Sequence, residues 1–194
     1  MQGLINRAIE CFLRDTYGND SWACVARAAG ADPGGFEPMM TYDDSVTEAL
    51  IAAACRQVDV PRDMLLEDLG TFLVSGGSLE AVRRLMRFGG ETFEEFLFSL
   101  DDLPDRVRLA VPDLHLPDLE LAEGADSGYR LFCLGGWPGV ELVLLGMLRA
   151  MADDYGALAV LDLVDRAPGR ATLKIALLDA RFHEGRSFSL AVQG

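Results

Sequence analysis

The feature that most constrains the fold of this chain is a change in hydrophobic periodicity near Pro112. Before it, apolar residues recur every three or four positions, as on the buried stripe of an amphipathic helix. After it, shorter apolar segments are separated by Gly and Pro, which predicts strands and one very apolar helix over 138–154. A run of helices followed by a run of strands indicates an α+β fold.

Local signals set the expected element boundaries. We expect a first helix to break at Tyr17-Gly18-Asn19, capping boxes at Ser45 with Glu48 and Thr92 with Glu95, and a helix start near Pro61. The short connections after 158 favour an antiparallel meander. The predicted four-stranded sheet comprises Gly128–Leu134, Leu158–Val164, Thr172–Leu178 and Ser187–Val192. The chain is interpreted as one domain over 1–194, with a helical subdomain at 1–111 and a sheet-containing one at 112–194.

Charge and cysteine usage restrict the function classes. Thirty-one acidic against seventeen basic side chains give a net charge of −14, which disfavours nucleic acid and anionic membranes as partners. The four cysteines have no metal-ligand spacing, and we expect reduced core thiols. The N-terminus does not resemble a signal peptide and no apolar run is long enough to span a membrane, so we expect a cytoplasmic protein.

Signatures of catalysis are missing from the sequence. There is no GxSxG, phosphate-binding loop or zinc spacing, and no His or Ser stands beside the acidic pairs as a catalytic relay. The pairs Asp43-Asp44, Glu94-Glu95, Asp101-Asp102 and Asp153-Asp154 are expected to be solvated helix ends and caps. The sequence therefore predicts that the protein is not an enzyme and holds no metal site of its own.

Four stretches together carry a family resemblance. MQGLINRAIECF at the start, YGNDSW at 17–22, YDD at 42–44 and PDLHLPDL at 112–119 resemble segments of the H-NOX family, the heme nitric oxide/oxygen binding domains. The resemblance covers essentially the whole chain and implies the same order of elements. By resemblance, such a domain passes a ligand-induced shift to a partner signalling protein, commonly a diguanylate cyclase or a histidine kinase.

The residues that hold heme in that family are replaced here. The family's axial histidine lies in a segment similar to LDxLH, and the corresponding residue here is Pro104. Its YxSxR motif, which holds the heme propionates, corresponds to Cys133, Gly135 and Trp137 when Gly139 and Gly146 anchor the alignment. Proline offers no nitrogen to iron, and the lost hydroxyls and guanidinium can no longer pair with propionates. We therefore predict a divergent H-NOX domain with no cofactor, in which Pro104 opens a short helix.

Two alternatives to this prediction stay open. Heme remains the main alternative cofactor, with His115 as a displaced axial ligand or, less favoured, a Cys133 thiolate. Trp137 is interpreted as filling volume that a porphyrin would otherwise take. A remnant pocket lined by Ile5, Pro117, Leu142 and Leu145 would instead bind another apolar small molecule. The oligomeric state is not predicted.

Overall fold

The computed structural model describes residues 3–76, 80–112, 114, 116–124, 128–180, 182–183 and 185, with no side-chain detail for 80, 81 and 110. The chain divides into two compact units, residues 1–69 and 70–194. The helices are α1 Gly3–Ala28, α2 Asp44–Val58, α3 Arg62–Ser75, α4 Glu80–Arg87, α5 Phe93–Phe98, α6 Leu103–Ala110 and α7 Val140–Tyr155, with a 3₁₀ turn at Leu100–Asp102. The strands are β1 Asp118–Glu123, β2 Tyr129–Leu134, β3 Leu158–Ala167 and β4 Arg170–Asp179.

The first unit is built around α1 and α2. The predicted break in α1 is confirmed at Gly18, whose φ of 86° and ψ of 164° interrupt the helix, a conformation that glycine reaches without steric cost. The carboxylate of Glu10, fully buried, accepts hydrogen bonds from Arg7 at 2.6 Å, Arg14 at 2.9 Å and the Phe36 N–H at 3.0 Å. These contacts fix the Gly- and Pro-rich loop after α1, because a buried charge must be paired.

Of the two predicted capping boxes, one is present and the other is not. At α5 the predicted box is present, since the Glu95 N–H donates to Thr92 and the Thr92 N–H donates to the Glu95 carboxylate. At α2 the Ser45–Glu48 box is wrong, because Asp43 is the cap and accepts the Ser45 N–H at 2.8 Å. Hydrogen bonding from the Ser45 side chain, and to a lesser extent from its N–H, holds the pKa of Asp43 below its ordinary value.

The second unit contains a four-stranded antiparallel sheet in the order β1-β2-β4-β3. The α+β prediction and the strand number are confirmed, but β1 was not predicted as a strand. Its Leu119 and Leu121 alternate with Asp118 and Glu120, a period-two signal that is short and follows prolines. The predicted strand Ser187–Val192 lies outside the described residues.

One face of this sheet and the apolar side of α7 share a core with α5 and α6. Its fully buried members include Leu131, Leu173 and Ile175 from the strands and Met151 from α7. On α3, a Cβ on Gly70 would lie 2.0 Å from the Val143 carbonyl oxygen, so only glycine permits this approach to α7. The single-domain interpretation, with subdomains meeting at 111/112, stays a prediction.

Two expectations about side-chain environment are wrong. Asp154 is 2% exposed rather than solvated, because the guanidinium of Arg83 lies 2.7 Å and that of Arg87 3.5 Å from its carboxylate. Cys24 is exposed, Cys11 and Cys55 are half-buried, and only Cys133 is a fully buried thiol. The Asp154 environment was missed because Arg83 lies 71 positions earlier in the chain, a contact that periodicity does not reveal.

Candidate functional site

The first substituted position, Pro104, lies in the opening turn of α6. This confirms the prediction that it starts a short helix, where proline's fixed φ and missing N–H are tolerated. Pro104 is buried, and the neighbouring Leu100 and Leu103 are 0% and 1% exposed. The segment that resembles LDxLH therefore keeps its apolar packing although its fifth residue has no metal-binding atom.

Polar side chains at the α5–α6 junction form hydrogen bonds within the protein. The Asp101 carboxylate accepts the Leu121 N–H at 2.8 Å, which ties the 3₁₀ turn to β1. Arg106 donates to the Ser99 carbonyl at 2.9 Å and to its hydroxyl at 3.1 Å. Asp101 and Arg106 thus have structural roles at the junction, and neither side chain offers an imidazole to iron.

The second group of substituted positions comes together in one cavity. Cys133, Gly135 and Trp137 line a cavity of about 470 Å³ between the β2–α7 turn and the β3–β4 hairpin, which contributes Arg166 and Arg170. Gly135 and Gly136 both have φ of 80°, and the Gly135 N–H donates to the Gly169 carbonyl at 2.8 Å. A turn of this geometry favours glycine at both positions.

A carboxylate of the protein itself lies in this cavity. Glu141, 8% exposed, forms an ion pair of 2.7 Å with Arg166 and accepts the Gly139 N–H at 3.1 Å. It stands in the first turn of α7, where the helix dipole favours negative charge. The cavity therefore already contains an anion at its most favourable position, and a second carboxylate there would meet repulsion.

The Cys133 thiol is a poor candidate for an axial ligand. Burial, with a smaller contribution from the Glu141 carboxylate, raises the pKa of Cys133 to about 12. The thiol is then protonated at neutral pH, whereas metal ligation needs the thiolate. Its 2% exposure fits the core interpretation.

The remaining predicted residues have different environments. Trp137 is half-buried in the wall of the cavity, and the idea that its ring takes up porphyrin volume stays a prediction. Pro117 is buried against the β2–α7 turn, with its Cδ 3.3 Å from where a Cβ on Gly136 would lie. Leu142 and Leu145 are buried on α7, and Ile5 is half-buried on α1 in the first unit. His115 lies outside the described residues.

Sequence reasoning missed Glu141, Arg166 and Arg170 as parts of this cavity. Glu141 was visible as an acidic residue within the apolar run that forms α7, which marks a charge that needs a partner. Its partner Arg166 comes from a hairpin 25 positions later, so no local pattern could have joined the two. Among the residues the structure describes, no cluster of three or more His, Cys, Asp or Glu side chains could hold a metal ion.

Comparison with known proteins identifies the family. The family model for Haem-NO-binding domains matches residues 2–161. The chain belongs to the H-NOX family. A solved structure that addresses the mechanism of H-NOX activation superimposes with a TM-score of 0.77 at 18% identity, covering 94% of this chain and all of that one. This likeness confirms the fold.

Two curated relatives are guanylate cyclases. Soluble guanylate cyclase 89Db of Drosophila melanogaster is 22% identical over 80% of this chain, and soluble guanylate cyclase gcy-31 of Caenorhabditis elegans is 24% identical over 85%. The chain spans about a quarter of their length, 23% and 24% respectively. The matched region is a sensor domain and not a catalytic one, so the prediction that this domain is not an enzyme is confirmed.

The family is one of heme-based NO and O₂ sensors, and its members act with signalling proteins such as guanylate cyclases and kinases. At the positions that the resemblance assigns to heme binding, Pro104 supplies no axial donor, and the cavity that Cys133, Gly135 and Trp137 line contains Glu141. In the described parts of the chain, no helix is both long enough and apolar enough to cross a membrane.

Proposed function

We propose that this chain is an H-NOX sensory domain that no longer binds heme in the family manner and that regulates a partner signalling protein. The observation that carries the proposal is Pro104, buried in the first turn of α6 with no atom able to ligate iron. The helix tolerates proline, so the domain keeps its packing without an axial bond. The diguanylate cyclase or histidine kinase partner is part of this proposal.

The charge in the second cavity supports the same proposal. A heme brings two propionates, which the family pairs with the Tyr, Ser and Arg of its motif. In this chain the corresponding cavity holds the Glu141 carboxylate, and the nearby Arg166 is already paired with it at 2.7 Å. On a protein of net charge −14, placing two further carboxylates there is unfavourable.

The cysteines support a cytoplasmic location as part of this proposal. Cys11, Cys24, Cys55 and Cys133 are all free thiols. Free thiols persist in a reducing compartment, while secreted domains commonly pair theirs. This is also the compartment in which the proposed partner enzymes work.

Hemin titration tests the proposal. We expect the purified chain to give no saturable, sharply shifted Soret band. A Pro104→His variant supplies an imidazole, so the Soret band of added hemin should shift. The decisive control is His115→Ala. A stoichiometric Soret band in the wild type that His115→Ala abolishes would overturn the proposal and establish a heme sensor with a substitute ligand.

The regulatory half of the proposal needs a separate experiment. A tagged copy of the chain, expressed in its native cell, should recover a cyclase or a kinase whose activity changes when the domain is added. Recovery of neither enzyme class in repeated experiments would contradict the regulatory role while leaving the heme result unaffected. Native mass spectrometry of the same preparation checks the remaining alternative, since a reproducible bound apolar mass would indicate a small-molecule binder instead.

A further inference from the structure

The cavity between the β2–α7 turn and the β3–β4 hairpin, here called the turn cavity, has the size of a small-molecule site. Its volume of about 470 Å³ falls within the roughly 300 to 1,000 Å³ that is common for such sites. Of its fourteen lining residues three are charged, namely Glu141, Arg166 and Arg170. The others are apolar side chains, a buried thiol and glycines. An apolar wall with a few fixed polar groups is the usual lining of a ligand pocket.

The charges at the turn cavity balance one another. Arg166 pairs with Glu141 at 2.7 Å. Arg170, whose side chain is 60% exposed, pairs with Asp165 at 3.4 Å. An anionic ligand would be repelled by the Glu141 carboxylate and by a chain of net charge −14. A cationic ligand would compete with Arg166 for the same carboxylate, so the arrangement favours an uncharged ligand.

Glu141 can accept more hydrogen bonds than the described residues donate to it. A carboxylate offers about four lone-pair sites, two on each oxygen. Among the described residues, Oε1 contacts the Arg166 guanidinium at 2.7 Å and Oε2 accepts the Gly139 N–H at 3.1 Å. Because Glu141 is 8% exposed, a donor that enters with a ligand would form a charge-assisted hydrogen bond away from bulk water.

Trp137 supplies an aromatic surface in the wall of the turn cavity. The other tryptophan, Trp22, is 1% exposed and belongs to the core of the first unit. Trp137 is only half-buried, so part of its surface stays accessible from the cavity. Aromatic rings pack on one another in offset-stacked or edge-to-face arrangements. A flat aromatic ligand is therefore the kind of molecule that this wall fits.

We propose that the turn cavity binds an uncharged, flat aromatic molecule that donates an N–H to Glu141 and packs against Trp137. The inference rests on the proposed function in one respect, since the bound molecule would replace heme as the stimulus of the sensory domain. The contacts themselves involve only the cavity's own residues. Binding of this ligand class can therefore be measured without hemin and without a partner protein.

Four small probes test the class of ligand. Indole is flat and uncharged and carries an N–H, while benzofuran has the same bicyclic shape with oxygen in place of the N–H. Tryptamine and indole-3-acetate add a positive and a negative charge to the indole ring. In calorimetric titrations at neutral pH, we expect indole to bind about tenfold more tightly than each of the other three. No binding of indole, or binding of another probe as tight as that of indole, would overturn the proposal.

The two tryptophans show where the probe binds. Their side-chain N–H groups give separate signals in nitrogen-15 correlation spectra, and Trp137→Phe identifies which signal belongs to Trp137. We expect indole to shift the Trp137 signal. The Trp22 signal should not move, because that N–H donates to the Pro33 carbonyl at 2.9 Å in the first unit. A shift confined to Trp22, or no shift of either signal, would contradict the assigned site.

Variants of the two contact residues complete the test. Glu141→Gln keeps an acceptor oxygen but removes the charge, so the preference for indole over benzofuran should fall from about tenfold to within about threefold. Glu48→Gln breaks another ion pair, with Arg62 at 2.8 Å in the first unit, and should keep the preference. Trp137→Ala should weaken indole binding about tenfold, and Trp137→Phe should restore most of it.

A full preference in Glu141→Gln, or unchanged indole binding in Trp137→Ala, would overturn the proposal. If Glu141→Gln does not fold, the probe series on the wild type and the Trp137 variants remain decisive. The result is also separable from the proposed function. Selective indole binding together with a stoichiometric Soret band would overturn the heme-free function and leave this site in place. No indole binding and no Soret band would have the opposite meaning.

Discussion

Two segments of the second unit contain the positions that the resemblance assigns to heme binding, and they differ in the contacts made there. The α5–α6 junction has one substitution, Pro104, within a setting of apolar packing. The β2–α7 turn has three, at Cys133, Gly135 and Trp137, and contains a buried ion pair between Glu141 and Arg166. The first segment depends on core packing and the second on polar contacts.

The difference lies in what stabilises each segment. At the junction, proline fits a helix start and the surrounding leucines are unaffected, so no compensation is needed. At the turn, the Arg166 guanidinium and the Gly139 N–H would lose their acceptor if no anion were present, which is costly for partly buried groups. The protein's own Glu141 supplies that anion. Perturbations of the two segments should therefore differ in size and in their dependence on pH.

The largest effect is expected at the junction's packing. Leu103→Ala removes a side chain that is 1% exposed, and should lower the free energy of unfolding by about 2 to 5 kcal/mol. Urea denaturation followed by circular dichroism measures it. Leu109→Ala on the same helix, at an 87% exposed position, is the matched control. A loss at Leu103 no greater than at Leu109 would mean that packing does not hold this segment.

The next effect concerns the ion pair of the turn. Glu141→Gln removes the charge that pairs with Arg166 and accepts the Gly139 N–H, and should lower the free energy of unfolding by about 1 to 3 kcal/mol. Arg170→Gln disrupts the exposed pair with Asp165 and should cost about 0.5 kcal/mol or less. Equal losses for the two variants would show that Glu141 has no special role as an internal anion.

The contrast between the two segments also explains what the sequence could predict. The Pro104 helix start, the Gly18 break and the Thr92–Glu95 box depend on neighbours within a few positions, and each was predictable. Helical and strand periodicity likewise identified the α+β class. Strand β1 was missed because six residues after a proline give a weak alternation signal.

The polar contacts were not predictable for a different reason. Asp154 pairs with Arg83, and Glu141 pairs with Arg166. These pairs join elements far apart along the chain, so a sequence with 48 charged residues contains too many equivalent combinations. The resemblance correctly identified the family, but for the site it named only the positions that it assigns to heme binding. Only the coordinates show that Glu141 lies in the cavity lined by Cys133, Gly135 and Trp137.

A smaller effect should appear at high pH, at the buried thiol of the turn. The pKa of Cys133 is raised from 9.0 to about 12, so the folded state favours the protonated thiol. The resulting stability is present below about pH 9 and is lost as the pH rises toward 12, since the unfolded chain ionises first. Between pH 8 and 10, the wild type should lose about 1 kcal/mol more than Cys133→Ala. Parallel losses in the two proteins would indicate a solvated thiol.

The smallest effect is expected at Pro104, the position on which the proposed function depends. Pro104→Ala keeps a good helix former in the first turn of α6, and its main consequence is a more flexible unfolded chain, worth about 0.4 to 1 kcal/mol. Thermal unfolding and denaturant titration should both place the variant near wild type, well below Leu103→Ala. A loss above about 2 kcal/mol would instead mean that the fold requires proline here. Proline would then be present at position 104 because the helix needs it for stability. The contrast between the α5–α6 junction, which depends on leucine packing, and the β2–α7 turn would no longer hold.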